Sequence, residues 1–218
     1  MSKTVLFTVS VLIAAGFAPV KAQDYSKFAF NIGGGISTPL NPTGAYSGVS
    51  GNFVMGAGYN VNKSNAIIGE FMWSGLPSNV FVLQPVDFPH SHINLYSLTV
   101  NYRHQFDRIN GSPFGVYFMA GGGWYQRHIS LDKNYAVPAG TPCTPYWYWY
   151  GWNCNGGVYE QTVASKGVSA GGMNAGLGFT IRLADSNIRF FTEARYHYAF
   201  SDRIATTLVP VTFGLRYN

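Results

Sequence analysis

Six ionisable residues fall on one parity of segments that alternate apolar and polar residues: Glu70, Arg103, Arg182, Glu193, Arg195 and Arg216. Where such a face lines a narrow interior, an unpaired charge is costly, so acids and bases must meet as ion pairs with further hydrogen bonds. The expected result is a packed, charge-paired plug; the alternative is a gate whose rearranging pairs pass a small conductance. Two acids against four arginines leave positive charge over, which waters, backbone carbonyls or a bound anion must accommodate.

Other residue types with chemical potential are weaker. His197 shares the inward parity of Arg195, but the residues after it are Tyr198, Ala199 and Phe200. The lipid A deacylase barrels carry His-x-Ser-Asn, with serine as nucleophile and histidine as base. Here Ser201 stands at +4, one strand repeat too far for the nucleophile–base hydrogen bond, so no catalytic residue is expected. His90-Ser91-His92 with Asp87 nearby makes a poor metal site, and neither metal nor cofactor is expected. Gly33-Gly34-Gly35 and Gly121-Gly122-Gly123 lead to no Lys-Ser/Thr pair; they fit a crowded, curving sheet better than a phosphate loop.

One segment stands apart. Between Cys143 and Cys154 lie Tyr146, Trp147, Tyr148, Trp149, Tyr150 and Trp152. In an exported chain a disulfide closing this loop is the expectation, and two thiols without a nearby histidine do not suit zinc. The aromatic faces either pack together as a lid or girdle extension, or contact a glycan, a choline-like cation or a protein.

These residues are positioned by eight candidate strands. In Ile188–Phe200, Phe190, Thr192, Ala194, Tyr196 and Tyr198 lie opposite Arg189, Glu193, Arg195 and His197; in Leu208–Tyr217, Val209, Val211, Phe213, Leu215 and Tyr217 lie opposite Pro210, Thr212, Gly214 and Arg216. Phe28–Ser37, Gly51–Val61, Ala66–Ser74, Ile93–Phe106, Phe114–Ile129 and Val168–Leu183 complete the set. A strand of about ten residues with an apolar face, aromatic ends and a polar face suits a membrane-spanning barrel.

The connections alternate in length: long at Thr38–Ser50, Gly75–His92 and Ser130–Gly167, short at Asn62–Asn65, Asp107–Pro113 and Ala184–Asn187, with a medium Ser201–Thr206 closing the series. That is the asymmetry of an outer-membrane barrel with both termini in the periplasm. The expected fold is therefore all-β, an eight-stranded antiparallel up-and-down transmembrane β-barrel. Eight strands enclose an interior just wide enough to fill with side chains, which argues against a wide pore.

Composition agrees. Only 11% of the 218 residues are charged, 17% are aromatic and 26 are glycine, whereas soluble domains average roughly 25% charged. The chain opens with Lys3, an apolar run over Val5–Ala18 and small residues at Val20-Lys21-Ala22, the pattern of a cleaved secretory signal over 1–22, leaving a barrel over 23–218. Loss of Lys3 and Lys21 lowers the formal charge from +5 to +3. The basic residues are scattered singly, so nucleic acid is not an expected partner.

The alternating strands, Pro113-Phe-Gly-Val-Tyr117 and the terminal Pro210-Val-Thr-Phe-Gly-Leu-Arg-Tyr217 resemble the outer membrane β-barrel domain family, the small barrels related to outer membrane protein A and to opacity-type proteins. The resemblance covers Phe28–Asn218. It implies an outer-membrane location, surrounding lipid, insertion by a barrel-assembly machinery, and a structural or surface-display role without catalysis. The alternatives are an adhesin or small-ligand barrel using the aromatic loop and, more remotely, a lipid-modifying barrel enzyme.

Overall fold

The computed structural model describes residues 26–79, 90–106, 113–136, 144–146, 151–153, 158–183, 187–201 and 203–217. The described residues form ten strands: β1 (Phe28–Pro39), β2 (Ser50–Asn60), β3 (Asn65–Pro77), β4 (His90–Gln105), β5 (Phe114–Ala136), β6 (Thr144–Tyr146), β7 (Gly151–Asn153), β8 (Val158–Arg182), β9 (Ile188–Ala199) and β10 (Thr206–Tyr217). Eight of them close into one barrel in the order β1-β10-β9-β8-β5-β4-β3-β2, while β6 and β7 form a separate two-stranded sheet.

Every barrel pair is antiparallel, and β1 closes the cylinder by pairing with β10 from Phe30↔Tyr217 to Pro39↔Leu208. Closure leaves no sheet edge along the paired wall, which hydrocarbon requires because it offers no partner to a backbone N–H or C=O. The register is fixed by side-chain parity. A slip of one residue would carry Arg216 to the outer face and Leu215 to the inner one.

The two faces separate as the alternation demands. Along β1 the outward Phe28, Phe30, Ile32 and Ile36 are more than half exposed, whereas Asn31 and Ser37 between them are buried. On β4 Leu98, Val100 and Tyr102 are likewise exposed, whereas Ser97, Thr99, Asn101 and Arg103 are buried. An apolar belt of this extent runs around the barrel, far more than a soluble surface exposes. Aromatic residues gather near its margins: Phe28 meets Tyr59 edge-on at 6.2 Å, and Trp73 Nε1 donates to Asn94 Oδ1 at 3.1 Å.

The interior is less polar than the alternation implies. Val54, Met72, Leu76, Ile93, Leu95, Phe191 and Leu208 form a buried cluster inside the barrel, with a second of Ala66, Ile68, Tyr117 and Met119. A filled lumen has volume to occupy, and apolar groups occupy it without demanding hydrogen-bond partners. Bulky groups fit where the facing strand carries glycine. Phe191 lies between Gly33 and Gly214, where an added Cβ would press on the ring and on backbone carbonyls.

Strand lengths differ from expectation on one side. The segments expected to stop at Ile129 and to start at Val168 instead run on, and β5 pairs with β8 up to Ala136↔Val158 through an irregularity at Leu131/Asp132. Part of the expected 130–167 connection, 130–136 and 158–167, is thus paired strand, and its tip is a two-stranded ribbon. Its residues lack the apolar period because both faces of a ribbon above the belt meet water. β4 still pairs with β5 up to His90↔Asp132, so the stretch in which β5 and β8 have only each other is Lys133–Ala136 with Val158–Gln161, on the order of 13 Å at ~3.3 Å per residue.

At that same end, the 40–49 connection folds back over the rim. Thr43 Oγ1 accepts from the Thr207 N–H at 2.8 Å, Thr207 Oγ1 donates to Leu40 O at 2.8 Å, and the Gly48 N–H donates to Pro77 O at 2.9 Å. One short turn, Thr43–Ala45, is 3-10 helical. These bonds tie the starts and ends of β1, β2, β3 and β10 together away from the chain termini.

Candidate functional site

Four barrel strands deliver the charged residues and their phenol partner to one level of the lumen. β3 supplies Glu70, β9 supplies Glu193 and Arg195, and β10 supplies Arg216; β5 adds the Tyr117 phenol. The side chains of Glu70, Glu193, Arg195 and Arg216 are at most 1% exposed. Room for them comes from opposite positions without side chains, since Gly176 pairs with Arg195 and Gly178 with Glu193. A Cβ at Gly176 would collide with the Arg195 stem, and one at Gly178 with the Tyr117 ring.

The cluster is a branched network. Arg195 Nη2 bridges both acids, pairing with Glu70 Oε1 and, at 2.9 Å, with Glu193 Oε1. The second oxygen of Glu193 accepts from Tyr117 Oη at 2.6 Å and lies 3.6 Å from Arg216 Nη2, which itself donates to Tyr117 Oη at 3.1 Å. Asn31 Nδ2 donates to Glu70 Oε2 at 3.1 Å. The Arg216 guanidinium stacks 4.4 Å from the Tyr117 ring centre and 4.7 Å from that of Phe191, contacts that attract a cation to ring faces. Two acids and two arginines therefore neutralise one another.

The other two arginines of the inward set lie apart. Arg103 donates from Nη2 to Asn60 Oδ1 at 3.0 Å. Arg182 has the inward parity, but it is the last residue of β8 and is exposed. It therefore does not belong to the packed network: parity sets the face, whereas burial also requires barrel wall above and below.

Above the network, Tyr125 and His197 are hydrogen-bonded from Oη to Nδ1 at 2.9 Å, and Asn174 donates to Asn101 at 2.9 Å. His197 is inward and buried, but its partner is this phenol; Ser201 lies beyond the end of β9, its N–H on Ala199 O. Among the described residues no serine or cysteine reaches the imidazole. Nor do the described residues contain a group of three or more metal-ligating side chains; His92 is exposed, while Asp87 and the His90 side chain lie outside what is described.

Cys143, Cys154, Trp147, Tyr148, Trp149 and Tyr150, and the segment 1–22, lie outside the described residues. Tyr146 and Trp152 are placed by their backbone alone, in β6 and β7, where Thr144–Tyr146 pairs with Gly151–Asn153. Sequence reading missed Tyr117, Tyr125 and Phe191 because aromatics were assigned to the lipid face. Parity held the signal: Tyr117 and Tyr125 share the inward parity of Met119, and Phe191 that of Glu193.

The sequence matches no protein-family model and no curated protein. Among solved structures the chain is similar to Neisserial surface protein A, with 14% identity over 89% of this chain and 99% of that one and a TM-score of 0.56. It is also similar to a major outer membrane protein from Thermus thermophilus, with 9% identity, coverage of 88% and 99%, and a TM-score of 0.53. This is the fold of the small outer-membrane β-barrels.

In a small barrel the lumenal network should carry stability. Arg195→Met leaves Glu70 and Glu193 facing each other without their shared cation, a change worth about 3–5 kcal/mol. The urea midpoint for unfolding from lipid vesicles should fall accordingly. A midpoint equal to wild type would show that the pair contributes nothing.

Proposed function

We propose that this chain is an integral barrel of a Gram-negative-type outer membrane, with a structural and surface-display role and no catalytic step. The observation that carries this reading is the combination of a continuous apolar belt with a lumen occupied by buried side chains, among them Arg195, Arg216, Tyr117, Tyr125 and Phe191. The belt makes membrane lipid the constant partner. The packed lumen leaves little passage for solutes, and the alternating rows ending at Tyr217 suit delivery by a barrel-assembly machinery. Both termini then lie on the periplasmic side and the β5–β8 ribbon projects outward.

The test is fractionation, mobility and conductance together. The protein should co-purify with outer membrane, change mobility on a denaturing gel only after boiling, and give no stable large-conductance steps in a planar bilayer. Recovery in a soluble fraction, or porin-sized steps, would contradict the reading.

The ribbon favours a second function on the same barrel, contact with an extracellular glycan or protein through Tyr146, Trp147, Tyr148, Trp149, Tyr150 and Trp152. The ribbon carries the chain beyond the end of β4 before this loop begins. Replacing Trp147, Trp149 and Trp152 by serine should cut attachment to a glycan and host-protein array at least tenfold while the heat-dependent gel shift stays intact. Unchanged attachment, or none in the wild type, returns the loop to a packing role.

A further inference from the structure

The mouth of the barrel next to the chain termini carries a row of arginines that the central network does not use in full. Arg182 on β8 stands opposite Arg189 on β9, and Arg189 stands opposite Arg216 on β10. The partner beyond is uncharged, with Asn31 opposite Arg216 on β1. Neighbouring strands are about 4.8 Å apart, so three guanidinium-bearing positions fall within ~10 Å on one face. Like charges directly opposite one another destabilise a sheet.

Among the described residues Arg182 and Arg189 form no ion pair, and the one carboxylate near Arg216, Glu193, is shared with Arg195. Arg216 is fully buried, yet its Nε and Nη1 have no hydrogen-bond partner among the described residues. Arg182 is exposed and Arg189 half-buried, so the row grades from open mouth to interior. A fork of N–H donors on adjacent strands, backed by a buried cation, is the arrangement that holds a tetrahedral oxyanion.

We propose that Arg182 and Arg189 bind a phosphate group at this mouth, with Arg216 supplying positive potential from behind. Two sources share the chemistry: the headgroup of a phospholipid in the surrounding leaflet and a free phosphate. That this leaflet is the periplasmic one rests on the proposed orientation, but binding in micelles does not.

The experiment uses the purified full chain in nonionic detergent, at constant ionic strength set with sodium chloride. The temperature at which the folded gel form converts is measured in chloride alone, with inorganic phosphate, and with phosphatidylglycerol in mixed micelles. Wild type should gain about 5 °C with one or both. Arg182→Gln/Arg189→Gln should gain nothing and, in chloride alone, should convert no earlier than wild type, because the repulsion has been removed. A gain with inorganic phosphate alone identifies a free-anion site, and one with the lipid identifies a headgroup site. No gain in wild type, an equal gain in the double variant, or a double variant less stable in chloride would overturn the proposal. None of these readouts depends on cellular location, so failure of the outer-membrane reading would be seen separately.

Discussion

The constraint behind this molecule is the absence of hydrogen-bond partners in hydrocarbon. Each unpaired backbone group would cost several kcal/mol there, so the sheet must close upon itself, and β1 meets β10 over nearly the full length of both. Closure with eight strands then fixes the width of the interior. Because that interior is narrow, inward charges are forced within hydrogen-bonding distance. Glu70, Glu193, Arg195 and Arg216 come from three different strands, yet they form one network.

The lumen behaves as a core with two kinds of filling. Where acids and bases meet, Tyr117 and Asn31 satisfy the remaining carboxylate oxygens. Elsewhere Met72, Leu95, Phe191 and their neighbours take the space. Glycines adjust the fit, since Gly33 and Gly214 make room for Phe191 as Gly176 does for Arg195. A buried ion pair is weak evidence for net stability, because desolvation offsets much of its attraction. Removing one partner is nonetheless costly, and this makes the network intolerant of single changes.

Much of the fold could be read from the sequence because the physics that selects it acts locally. Alternation in Leu208–Tyr217 follows from one face meeting lipid and the other the interior, and it predicts strand, face and register together. The inward placement of Glu70, Glu193, Arg195, Arg216 and Arg103 follows from the same parity. Pairing partners were not legible: nothing in the chain order says that Arg195 bridges Glu70 and Glu193 rather than pairing with one alone. Arg182 was assigned to the interior because parity carries no information about height along the barrel. The β5–β8 ribbon was hidden for a related reason, as the lipid that imposes the apolar period is absent where both faces meet water.

The central claim is that the outward rows, not the inward ones, face hydrocarbon around the whole barrel. Single spin labels at Ile32, Val100, Leu177 and Leu215, introduced into vesicle-reconstituted protein, test it by power saturation with oxygen and with a water-soluble nickel chelate. All four sites should be accessible to oxygen and protected from the chelate. Chelate accessibility at these positions, in protein that keeps its heat-dependent gel shift, would place the belt in water and contradict the account.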